Sequence, residues 1–88
     1  MQADDLPILY VKTGCSWCRE VSEFLDSHGI SHREQNVAED PAAMSEMQQK
    51  SGQSLAPTLD WRGKILADFG VEELVPFLHA QNVELEES

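Results

Sequence analysis

Apolar residues in this chain gather into short blocks whose period changes several times. Leu6 to Val11 (LPILYV) is a nearly unbroken apolar run rich in strand formers, as suits a strand buried on both faces. Pro7 then belongs at its start or edge. Thr13-Gly14 breaks the run, and Cys18, Val21, Phe24 and Leu25 recur at helical spacing opposite Arg19, Glu20, Glu23 and Asp26. Gly29 ends that helix as a C-terminal cap. Ser31–Val37 (SHREQNV) reads as a second strand, polar enough for a sheet edge. Asp40-Pro41 starts another helix with a side-chain cap and a first-turn proline. It turns Ala43, Met44 and Met47 inward and stops near Ser51-Gly52. Pro57–Trp61 and Lys64–Ala67 are short strands around an Arg62-Gly63 turn, a hairpin pattern. Val71, Leu74, Val75 and Leu78 line one face of a last helix, in which Pro76 removes one backbone bond and predicts a kink or a late start.

The order βαβ followed by αββα predicts an α/β domain with a four-stranded mixed sheet and three helices. Two parallel strands are joined by a helical crossover, and a hairpin and covering helix follow. Eighty-eight residues make one domain, burying only about 60–65% of the extended chain's surface. The core is expected over about residues 6–80, with an acidic tail over 82–88.

Sixteen acids against six bases give a net charge of −10. Such a surface repels nucleic acid and anionic lipid, and the bases form no cluster. It suits positively charged partner surfaces, although high solubility is the plainer consequence. The opening MQADDLP has neither the basic nor the apolar region of a secretion signal, and no apolar run approaches the roughly 20 residues that span a bilayer. The expectation is a monomeric cytoplasmic protein, off the membrane.

The chain has two cysteines, Cys15 and Cys18, whereas a secreted disulfide framework uses about four or more. The pair points to redox chemistry or a metal, with an inert structural pair as the remaining alternative. Cys15 falls where the first strand gives way to the first helix, facing unsatisfied N–H groups and the positive end of the helix dipole. Both favour a thiolate, the reactive form, and Lys12 adds positive charge nearby. Cys18 lies one turn on, in reach of the first sulfur, so Cys15 is assigned the attack on a substrate disulfide and Cys18 the resolution. Cys15, Cys18, His28 and His32 also have the outline of a zinc site. Ten helical steps between Cys18 and His28, however, span roughly 15 Å, and zinc needs its ligand atoms within about 2.0–2.3 Å of one point. No metal is expected. The three histidines are placed at helix ends and exposed edges.

Gly14-Cys15-Ser16-Trp17-Cys18 on a strand-to-helix turn, with Ser51-Gly52-Gln53-Ser54-Leu55-Ala56-Pro57 downstream, resembles the glutaredoxins from about Leu6 to Leu78. The resemblance implies a thioredoxin-like fold, thiol–disulfide oxidoreductase activity, and glutathione as co-substrate with no tightly bound cofactor. It implies that Pro57 is cis beside the reactive sulfur and that the Ala56 backbone pairs with the incoming substrate. It also places Lys12 and Trp17 along a glutathione groove. Ser16-Trp17 stands where the family commonly has Pro-Tyr, and Leu55 where it has Thr. Ala67-Asp68 replaces a Gly-Gly pair against which glutathione normally lies, and Gly70-Val71 replaces a polar or acidic pair. Weak glutathione binding is the expected result, with Asp68 a main cause.

The favoured function is a dithiol electron donor that reduces protein disulfides or glutathione mixed disulfides. A glutaredoxin-shaped donor recharged by thioredoxin reductase is the closest competitor. An iron–sulfur cluster-binding module and a purely structural adaptor are the competitors from other classes.

Overall fold

The structure is a computed structural model that describes residues 6–83 and residue 85. The first five residues and Glu84, Glu86 and Glu87 of the tail lie outside the described residues. Seven elements occur in the expected order: β1 (Ile8–Val11), α1 (Ser16–Ser27), β2 (Arg33–Asn36), α2 (Pro41–Ser51), β3 (Thr58–Trp61), β4 (Lys64–Ala67) and α3 (Val71–Ala80). The sheet runs β2-β1-β3-β4. β1 is parallel to β2 and antiparallel to β3, and β4 completes the hairpin. The polar β2 takes an edge, and the apolar β1 lies inside.

Alternation along β1 divides the core between the two faces of the sheet. Leu9, opposite Leu59 on β3, meets Val21 and Leu25 of α1 and Leu74 and Leu78 of α3, with Phe69 beside them. Tyr10 points the other way, to Val37 and to Ala43 and Met47 of α2. Each fully buried leucine contributes about 1.5–3 kcal/mol of transfer free energy, so these few positions fix both helix-covered faces. Asp40 accepts from the Ala42 N–H at 3.0 Å to start α2, and Gly52 at φ 72° ends it.

Two expectations need correction. The late start read from Pro76 does not occur: α3 begins at Val71 and runs through the proline. Pro76 is exposed, and the N–H it lacks leaves the Glu72 carbonyl without its i+4 helical donor. His32, assigned to an exposed edge, has a side chain only 5% exposed. Its Nδ1 lies 3.2 Å from the Ile30 carbonyl oxygen and its Nε2 2.9 Å from Glu34 Oε2. Two partners for a polar ring explain its burial.

On the α2 face the Tyr10 hydroxyl accepts from Lys50 Nζ at 2.7 Å and donates to Glu46 at 3.1 Å. Lys50 also reaches Asp60 at 2.7 Å. Burial pushes the Lys50 ammonium down, but Asp60 and Tyr10 outweigh it and hold Lys50 above its ordinary value. This network ties α2 to β1 and β3.

Candidate active site

β1 delivers the chain to a tight turn held by the Cys15 N–H donating to the Lys12 carbonyl at 3.2 Å. Gly14 sits there at φ 81° with open space around it. Its backbone conformation, not crowding, is what favours glycine. Cys15 is the N-cap of α1, and its sulfur accepts from the Cys18 N–H at 3.1 Å. The two cysteines are disulfide-bonded, with Cα atoms 5.2 Å apart. Cys18 is 3% exposed and belongs to the core, while Cys15 is partly open. One sulfur is therefore offered to a partner and the other is kept behind it.

A loop after α2 brings a second segment to Cys15. Gln53 is its brace: Oε1 accepts from the Leu55 N–H at 2.6 Å, and Nε2 donates to Ser51 Oγ and Thr58 Oγ1 at 2.8 and 3.1 Å. The buried Thr58 hydroxyl donates to the Leu55 carbonyl at 2.8 Å. So held, the loop sets the Ala56 carbonyl oxygen 4.0 Å from Cys15 Sγ, and the Ala56-Pro57 peptide is cis. Among the described residues nothing accepts from the Ala56 N–H. Asp68 donates its N–H to the Pro57 carbonyl at 2.9 Å and has φ 54°. Its backbone thus holds the left-handed conformation that glycine adopts without strain.

Among the described residues, one cavity touches both cysteines and another lies on the Trp17 side of α1. The first, of about 360 Å³, is bounded by Lys12, Cys15, Cys18, Arg19, Ser22 and Glu34, among others. The other, of about 260 Å³, lies between Trp17 and Glu20 on α1 and Gly70 to Glu73 at the start of α3. Trp17 is 53% exposed. At α3 the Gly70 N–H donates to Glu73 Oε1 at 2.8 Å, so a carboxylate of the chain itself caps that helix. In the first cavity Glu34 Oε2 accepts from both Ser22 Oγ and His32. Burial raises the Glu34 carboxyl, but these two hydrogen bonds prevail and hold it below its usual 4.5. Among the described residues no group of three potential ligands is gathered closely enough to hold a metal ion.

Comparison with known proteins agrees with this arrangement. Residues 8–66 match the glutaredoxin family. The chain belongs to the glutaredoxin family. A glutaredoxin-like 8.6 kDa protein of the rubredoxin operon of Clostridium pasteurianum is 33% identical over 66 residues, covering 75% of this chain and 88% of the relative. The thioredoxin-like protein BC3987 superposes with a TM-score of 0.75 at 28% identity, over 82% of this chain and 99% of that one. A glutaredoxin from Archaeoglobus fulgidus superposes at 0.74 with 17% identity, over 88% and 89%. The fold is thioredoxin-like.

Seen as a glutaredoxin, the structure distributes the residues singled out in the sequence unevenly. It brings Cys15, Cys18 and Lys12 to one cavity and sets Ala56 beside Cys15, with Pro57 and Asp68 joined to each other behind it. Trp17 borders the other cavity, apart from Lys12. Sequence reasoning did not single out Gln53, Thr58, Arg19 or Glu34, and it weighed His32 only as a zinc ligand or an exposed-edge residue. Gln53 lies within the Ser51–Pro57 stretch that carries the resemblance, which gives no sign of its bracing contacts, and Glu34 on β2 and His32 just before it are two residues apart, a spacing that says they share a face but not what covers it.

Proposed function

We propose that this glutaredoxin-family chain is a dithiol oxidoreductase that reduces protein disulfides or glutathione mixed disulfides through Cys15 and Cys18. The observation that carries the reading is the half-open disulfide at the start of α1, with the Cys18 N–H on Cys15 Sγ. In the reduced protein that N–H and the helix dipole favour a Cys15 thiolate. The thiolate attacks a substrate disulfide, breaking its S–S bond and releasing one substrate thiol. Cys18, once deprotonated, attacks Cys15 Sγ of the mixed disulfide, releases the second substrate thiol and forms the Cys15–Cys18 bond. Lys12 and the Ala56 backbone serve as substrate contacts, and Pro57 holds Ala56 in place. Trp17 borders the groove.

A second reading, recharging by thioredoxin reductase in place of glutathione, is favoured by the α3 side of the site. Glu73 caps the Gly70 N–H, and Asp68 adds a Cβ and a carboxylate where the family commonly has glycine. Glutathione therefore binds weakly. A buckwheat glutaredoxin was solved as a complex with glutathione, but at 20% identity it supplies the fold comparison alone. The deciding experiment offers the oxidised protein either glutathione with glutathione reductase or thioredoxin reductase, each with NADPH. Faster NADPH consumption in the first identifies a glutathione-fed enzyme, and in the second a thioredoxin-reductase client. Inactivity in both, with visible absorbance in freshly purified protein, would replace the reading by a cluster-binding module.

A further inference from the structure

We infer that the cavity between α1 and β2 is a binding site for a small zwitterionic thiol, one carrying a carboxylate and an ammonium on an amino-acid-sized frame, which reduces the Cys15–Cys18 disulfide from that side. The inference rests on the oxidoreductase reading and adds a ligand class and a site to it. Only Lys12 is shared with the groove of Trp17, Ala56, Pro57 and Asp68.

Three observations carry it. The cavity touches both cysteines, and its volume of about 360 Å³ lies within the range of small-molecule sites. Its rim holds two cations, Lys12 and Arg19, and among the described residues neither forms an ion pair. Glu23 also lines the cavity, a helical turn from Arg19, yet among the described residues it pairs with neither cation, so both leave room for an incoming carboxylate. Glu34 lines the same cavity and is anchored. Ser22 and the nearly buried His32 both donate to its Oε2, and neither uses Oε1. A carboxylate anchored through one oxygen presents the other at fixed orientation to an ammonium group. Cations and an anchored carboxylate lining one cavity match a ligand with both charges better than a ligand with either alone.

The chemistry balances with two ligand molecules. The first ligand's thiolate attacks Cys15 Sγ, the protein S–S bond breaks, and Cys18 leaves as a thiolate that takes up a proton. A second ligand thiolate attacks the ligand sulfur of the mixed disulfide and releases Cys15. Two thiols are oxidised to one disulfide, and the protein disulfide is reduced to two thiols.

The test measures reduction of the oxidised protein by tryptophan fluorescence with cysteine, cysteamine, 3-mercaptopropionate and 2-mercaptoethanol, on the wild type, Arg19→Gln, Glu34→Gln and the double variant. Dividing each thiol's wild-type rate by its rate with a variant cancels the intrinsic nucleophilicity of that thiol. At roughly threefold per matched charge at a half-exposed site, the double variant loses about tenfold more rate with cysteine than with 2-mercaptoethanol. Arg19→Gln is expected to penalise 3-mercaptopropionate, and Glu34→Gln to penalise cysteamine. Equal losses for all four thiols would overturn the site while leaving the oxidoreductase reading standing. If dithiothreitol, which carries no charge, also fails to reduce the disulfide, both fall together.

Discussion

The two sides of the start of α1 carry different sets of charged groups, one acidic and one mixed. Towards α3 the wall consists of an exposed indole and three glutamates, Glu20, Glu72 and Glu73, one of which caps the helix that an external anion would otherwise meet. Towards β2 the wall holds two cations, Lys12 and Arg19, and two glutamates, Glu23 and Glu34, the second oriented by His32 and Ser22. A strongly acidic chain has therefore balanced its charges at the flank that touches both cysteines. Net charge describes the surface as a whole, and the arrangement around the reactive bond runs against it.

The largest effect that bears on this contrast comes from the cysteines themselves. Cys15→Ser is expected to abolish disulfide exchange, and Cys18→Ser to leave a trapped mixed disulfide that mass spectrometry detects. In the reduced wild type, iodoacetamide at mildly acidic pH should label Cys15 first. Equal partial losses from the two substitutions would make the asymmetry in burial irrelevant to chemistry.

Next is the brace beneath Ala56. Gln53→Ala removes four side-chain hydrogen bonds, two to Leu55 and one each to Ser51 and Thr58. About 1–3 kcal/mol of stability is expected to go with them, read as a lower denaturation midpoint. Activity towards disulfide substrates should fall, because Ala56 is a proposed substrate contact beside Cys15. A variant that loses activity towards only one class of thiol would tie the loop to one flank.

Smaller, and confined to the α3 side, is the effect of Asp68. Asp68→Gly relieves a non-glycine residue at φ 54°, a gain of about 1 kcal/mol. With Ala67→Gly it is expected to raise glutathione-dependent turnover a few-fold and lower the apparent glutathione requirement. Unchanged or slower kinetics would remove Asp68 as the cause of weak binding.

The smallest effect is a pH dependence on the β2 side. Glu34 is held below 4.5 in the folded chain. The folded state thus binds this proton less tightly than the unfolded one, and the stabilisation is present above pH 4.5 and disappears as pH falls through the lowered value. Urea midpoints measured from pH 6 to pH 3 should fall less steeply for Glu34→Gln than for wild type. Parallel curves would mean that Ser22 and His32 do not hold the carboxylate.

What the sequence disclosed and what it hid separate along a physical line. LPILYV announced an interior strand, Asp40-Pro41 a capped helix and Arg62-Gly63 a hairpin turn, because each is a local pattern set by backbone and periodicity. The cysteine pair was legible as well, since its spacing on a helix start is its chemistry. The contacts that orient Glu34 and brace Ala56 were not. They depend on which side chains meet after the sheet has formed, as Ser22 on α1 meets Glu34 on β2 and Tyr10 meets Lys50 across forty positions. No periodicity encodes those meetings. The same holds for His32, whose burial follows from the carbonyl and carboxylate that receive it.

The pairing of β1 also constrains how the chain reaches its native state. Ile8 is matched with Arg33 on one side and with Asp60 on the other, so the central strand draws partners from both halves of the sequence. Neither half alone completes a three-stranded sheet, and isolated fragments split between α2 and β3 should stay largely unstructured. Closing the longer of these loops precedes most of the energetic return, which places folding in the slower, millisecond range of small mixed domains. On a ribosome, β1 and β2 emerge early but wait for β3, and the cysteines remain open to solvent and oxidants until it arrives.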